Sequence, residues 1–160
     1  MHKRITPVLV LLLITVALQT LLPLVSGDLT IANPFLALLV VLALRGGKVS
    51  GMLWGALLGG VSDAYFLPYV GFHGAAFTLA GYVLGWVGSK VVIRGVLPLA
   101  FFGGVTYLWD AGVVSLLYLA LGLPIASPFL VPVLLGAAIT SALAAALEAV
   151  ARKLYPPEGL

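Results

Sequence analysis

Long apolar runs that do not alternate constrain this chain more than any other feature. Between Ile5 and Val25 there is no charged side chain, and comparable runs recur to the end of the sequence. A lipid-embedded barrel strand would alternate apolar with polar residues, so continuous runs point to helices. Composition excludes a water-soluble fold. Only 8% of the residues are charged, 62% are hydrophobic, and the mean hydropathy is +1.23. A soluble domain keeps about a quarter of its residues charged. The expected fold class is an all-α integral membrane protein, one compact transmembrane domain over residues 1–160.

A spanning helix needs about 20 apolar residues. Six segments meet or approach that length, near 5–25, 30–44, 49–66, 72–88, 96–121 and 125–150. The second is short; Asn33 can cap it and Pro34 fits its first turn. The first is long for a signal-peptide core of 7–15 residues, so it is expected to remain as a helix. The 8 Lys and Arg form pairs: Lys3 with Arg4, Arg45 with Lys48, Lys90 with Arg94, Arg152 with Lys153. Six crossings place every pair on one side of the membrane. The positive-inside rule then puts both termini in the cytoplasm. These pairs account for the net charge of +3 without a nucleic-acid partner. With no cysteine, disulfides and thiolate chemistry are excluded.

Small residues recur at helical spacing. Gly51, Gly55 and Gly59 lie four apart, as do Gly81 and Gly85, and Ala138, Ala142 and Ala146. Residues at i and i+4 share a face, and in lipid small faces let helix backbones approach closely. Two readings follow for Gly51, Gly55 and Gly59: packing within the bundle, or a seat for a partner's helix.

Asp63 and Asp110 each lie fourteen residues into a span that starts on the basic side. At 1.5 Å per residue both reach about 21 Å into a core about 30 Å thick. His73, Thr106, Tyr65, Tyr69 and Trp109 belong to the same outer polar layer, and no Lys or Arg is expected there. The layer either forms an outward pocket or fixes packing through Ser62, Thr106, tyrosine hydroxyls and backbone. The sequences GGVSDA and GGVTYLWDA around the two acids echo each other loosely. His2 and His73 lack a second histidine at metal-ligand spacing, so no metal or cofactor is expected. Ser62 has no base arrangement, and no catalytic constellation is visible. Glu148 is placed to meet Arg152 one turn on.

NPFLALLVVLALRGGK and GGVSDAYFLPYVGFHGAAFTLAGYVLG resemble the MreD family, a small multispan component of the bacterial cell-elongation machinery. The resemblance covers roughly residues 30–88 and rests on Asn33, Pro34, Gly59, Asp63, Gly71 and Tyr82. It implies a noncatalytic scaffold of the bacterial inner membrane that binds MreC. Through MreC, or directly, it would serve RodA and its partner transpeptidase, with MreB on the cytoplasmic side. The inferred bundle is also similar to the six-span S-components of energy-coupling-factor vitamin transporters. Those usually carry an Ala-x-x-x-Ala motif in the first span, where this chain has only Ala17. An intramembrane enzyme acting on lipid phosphate is disfavoured, since the acids have no basic residue near them.

Overall fold

The computed structural model describes residues 2–25, 31–66, 71–91, 95–123 and 130–154. These residues are all-helical, without strands: α1 (His2–Val25), α2 (Pro34–Phe66), α3 (Phe72–Lys90), α4 (Val96–Ala120) and α5 (Leu130–Leu154). Three helices are long and apolar enough to cross a membrane: Pro34–Tyr65, Val96–Ala120 and Leu130–Lys153. The apolar part of α1, Val8–Leu24, is shorter. Six spans were expected from the apolar runs; by length and composition three helices qualify.

The longest of the three is not straight. Gly47 has φ 79° and ψ −179°, a conformation for which a side chain is poorly suited. There the helix doubles back. Asn33 Nδ2 donates to Ser62 Oγ at 3.2 Å, although 29 residues separate them; along a straight helix they would be about 43 Å apart. The rings of Phe35 and Tyr65 likewise meet, with centroids 5.7 Å apart. α2 is therefore two antiparallel arms, 34–46 and 48–66. The turn falls between the segments expected near 30–44 and 49–66. The first arm is about 20 Å long, well short of a bilayer core.

That short arm is the centre of the molecule. Every residue from Phe35 to Leu44 is buried. The second arm folds back on it, and α3, α5, α1 and α4 all contact α2. The outer helices then show an inverted surface. Leu97, Leu24, Leu13 and Phe101 are exposed, while Thr15, Gln19, Asn33, Ser62, Asp63, Thr106, Asp110 and Thr140 are buried. Water would penalise that arrangement and lipid favours it. The inverted surface and the three long apolar helices mark a membrane protein.

The second arm and α3 form the tightest seam. Gly51 backs onto Gly81, Gly55 onto Phe77 and Gly59 onto His73. Each step of four up one helix is matched by a step of four down the other, as antiparallel contact requires. A Cβ on Gly59 would stand 2.5 Å from the His73 carbonyl oxygen. The glycine face is thus filled from within by α3, which answers the choice left open for Gly51, Gly55 and Gly59 in favour of internal packing. On α5 the expected stripe needs correction. Ala138, Ala142 and Ala146 are exposed, and the packing face is Ala137, Thr140, Ala144, Leu147, Glu148 and Ala151. Gly103 on α4 sets this face, because a Cβ there would stand 2.9 Å from the Ala144 Cβ and 3.2 Å from the Ser141 Cα.

Overpacking a seam of this kind costs about 1–3 kcal/mol for small additions. Gly55→Ala is expected to lower stability by that amount in detergent-based unfolding, and Gly55→Leu by more. Gly60→Ala is the control, since a Cβ there meets nothing within 4 Å. Equal stability of the Gly55 and Gly60 variants would mean that the seam is not close-packed.

Candidate functional site

The outer polar layer forms around the start of α3. The first N–H groups of a helix lack partners within it, and Gly71, before α3, has no side chain to supply one. Asp63, near the end of the second arm of α2, supplies the acceptors. Its Oδ2 accepts from Gly71 N at 2.7 Å and Gly74 N at 3.1 Å, and its Oδ1 accepts from His73 N at 2.8 Å. A carboxylate at this end also complements the helix dipole. Gly71, at φ 108°, makes the left-handed turn that brings these N–H groups together.

His73 extends the cluster to α4. Its Nδ1 lies 2.9 Å from Asp110 Oδ1, and both side chains are buried. The ring also meets Phe77 edge-on at 5.7 Å. Asp63, His73 and Asp110 are thus brought together, as their common depth suggested. The acids are bridged by one residue: Asp63 holds the backbone of His73, and Asp110 holds its ring. Trp109 Nε1 donates to the Ala76 carbonyl at 3.2 Å, a second tie between α4 and α3. Thr106 instead bonds back to Phe102 O on its own helix at 2.6 Å. Tyr65 is exposed, and Tyr69 lies outside the described residues.

A second set of bonds joins the two arms of α2 to α5. Asn33 Oδ1 accepts from Leu36 N at 3.1 Å, capping α2 ahead of Pro34. Its backbone N–H donates to Thr140 Oγ1 at 3.4 Å. Tyr107 OH donates to the Ile31 carbonyl at 2.9 Å, binding α4 to the same corner. Of the resemblance residues, Asn33, Gly59, Asp63 and Gly71 all sit in this framework. Tyr82 is exposed on α3.

Two features were missed in the sequence. Thr140 was not singled out. Thr15 and Gln19, one helical turn apart beyond Leu11, form the inward face of α1. Their spacing of four was the available signal. Gln19 Oε1 is the buried side-chain oxygen that lacks a partner among the described residues.

Chemically, the cluster suits fixing helices together. Both oxygens of Asp63 face backbone donors, and the Asp110 bond ties α4 to α3. No three His, Cys, Asp or Glu side chains group as metal ligands among the described residues. No family model matches the chain, and no match was found among the curated proteins or the solved structures.

Loss of the Asp63 acceptors leaves the buried His73 N–H unpaired, at about 1–3 kcal/mol, and removes the part-buried bonds to Gly71 and Gly74 as well. Asp63→Ala is therefore expected to destabilise the fold by roughly 2–3 kcal/mol. Asp110→Asn retains an oxygen that can accept from His73 and should cost under about 1 kcal/mol by the same reasoning. Unfolding in detergent would measure both. A larger loss from Asp110→Asn than from Asp63→Ala would overturn this ranking.

Proposed function

We propose that the chain crosses the bacterial inner membrane six times, with both termini cytoplasmic, and acts as a noncatalytic scaffold of the cell-elongation machinery by binding MreC. The observation that carries the reading is the clamp of Asp63 on Gly71, His73 and Gly74. It accounts for the eight-residue spacing from Asp63 to Gly71 that marks the resemblance, and it gives those residues a structural task rather than a reactive one. With Gly59 against His73 and Asn33 bonded to Ser62, four of the six resemblance residues serve one rigid hairpin. A preformed surface costs little ordering entropy when a partner binds.

Six crossings gain support from the fold of α2. With two arms there, α1, α3, α4 and α5 complete six helical segments. The described cations of three basic pairs also share one end. Gly88 backs onto Leu44, which puts the end of α3 that carries Lys90 at the same end of the bundle as Arg45, and Glu148 joins Arg45 to Arg152. Alkaline phosphatase fused after Arg45 is expected to be inactive, and the same enzyme fused after Gly27 active. Activity after Arg45 would reverse the orientation.

The seat for the MreC helix moves away from Gly51, Gly55 and Gly59, which α3 occupies. Ala138, Ala142 and Ala146 on α5 offer a small-residue face that remains exposed. RodA, its transpeptidase and MreB would then be reached through MreC or beside it. Tagged protein is expected to copurify MreC from bacterial membranes, and Ala142→Leu to reduce the yield several-fold without changing thermal stability. No copurification by the unaltered chain would remove the MreC reading. A vitamin retained by the purified protein would replace it with the S-component reading.

A further inference from the structure

The end of the bundle opposite the polar layer is basic. Gly85 backs onto Gly47 and Gly88 onto Leu44, so the end of α3 with Lys90 stands against the turn that carries Arg45 and Lys48. Glu148 draws the last turns of α5 to the same place. Its Oε2 accepts from Arg45 Nη2 at 2.7 Å, and its Oε1 accepts from Arg152 Nε at 2.9 Å. Among the described residues Glu148 is the carboxylate at this end, which also carries Arg45, Lys48, Lys90, Arg152 and Lys153.

One buried carboxylate would be neutralised by one cation. Here two guanidinium groups share Glu148, which is 4% exposed, so among the described residues the cluster keeps a net positive charge. Glu148 also fixes those groups in place. Arg152 uses Nε on Glu148, and its two terminal nitrogens have no protein partner among the described residues, with 43% of the side chain exposed. A guanidinium held by one edge offers the rest of its planar fork to a phosphate. On the helix that begins beside Lys48, Val49, Leu53 and Leu57 are exposed one turn apart. Acyl chains suit such an apolar face, and a free anion gains nothing from it.

We propose that the Arg45–Glu148–Arg152 cluster is a binding site for the phosphate of an anionic phospholipid headgroup. Arg152 supplies the phosphate-facing fork, Glu148 orients it, and Lys48 and Lys90 add attraction from the rim. The site does not depend on a role in cell elongation.

The test uses the full chain in neutral detergent, with bound lipid counted by native mass spectrometry. Phosphatidylglycerol, phosphatidylcholine and inorganic phosphate are the three probes. Phosphatidylglycerol is expected to bind in preference to phosphatidylcholine, and Arg152→Gln to weaken it about fivefold, the effect of one interfacial charge. Arg152→Lys, which keeps the charge but not the fork, should weaken it as well. Lys153→Gln should leave binding within about twofold, because among the described residues no carboxylate positions that exposed side chain and salt screens an unfixed ammonium. Arg45 still pairs Glu148 in the Arg152 variants, and unchanged melting would verify their folding. Equal weakening by Lys153→Gln and Arg152→Gln would reduce the site to diffuse surface charge and overturn the proposal. Displacement of the lipid by inorganic phosphate at matching concentration would overturn it too, in favour of a soluble anion.

Discussion

Backbone meets backbone along the seam between the second arm of α2 and α3, and much of the molecule depends on that contact. In lipid, burying one apolar side chain against another gains little, because acyl chains solvate both equally. Dispersion between closely apposed main chains is what remains. Gly51 against Gly81, Gly55 against Phe77 and Gly59 against His73 bring two helices nearer than any Cβ would allow. The same register carries the start of α3 to the end of the second arm of α2, within reach of Asp63. Close packing therefore places the polar clamp, and the clamp in turn fixes the entry to α3.

Polar groups do for this interior what apolar ones do for a soluble core. Each buried polar group must find a partner in protein, and those partners lie mostly on other helices. Asp63 joins α2 to α3, His73 joins α3 to Asp110 on α4, Asn33 joins the two arms of α2 and reaches α5, and Tyr107 reaches from α4 to Ile31. These bonds are directional, so they specify which faces meet in a way that small-residue packing alone does not. The central arm, 34–46, needs them least: surrounded on every side, it is almost purely Phe, Leu, Val and Ala.

Much of this was legible in the sequence, for reasons particular to each element. The all-helical class followed from uninterrupted apolar runs. The turn near residue 47 followed from RGGK between two such runs, and the closeness of Asp63, His73 and Asp110 from counting rise along spans that start on one side. What was not legible was rotation. A spacing of four says that Ala138, Ala142 and Ala146 share a face but not where that face points. On α5 a rotation of one residue put Ala137, Thr140 and Ala144 inward instead. Partners across helices were hidden for the same reason. Glu148 and Arg152 are neighbours on one helix and could be paired on spacing, whereas Arg45, 103 residues away, could not. Length was a further blind spot: composition divides the chain into six runs, while three helices are long and apolar enough to span.

The two ends of the bundle use carboxylates in opposite ways. At one end Asp63 is spent entirely on the backbone and Asp110 on His73, so charge there is consumed in holding helices together. At the other end, among the described residues, Glu148 is outnumbered, and two guanidinium groups are held by it in fixed geometry. A carboxylate that binds N–H groups removes polarity from an interior; one that binds two guanidinium groups positions polarity for something outside. Rigidity at the first end and residual charge at the second are compatible because the central arm links them. It begins at Asn33, inside the first network, and ends at Arg45, inside the second. Buried from Phe35 to Leu44 and bonded at both ends, that arm cannot shift at one end without straining the other.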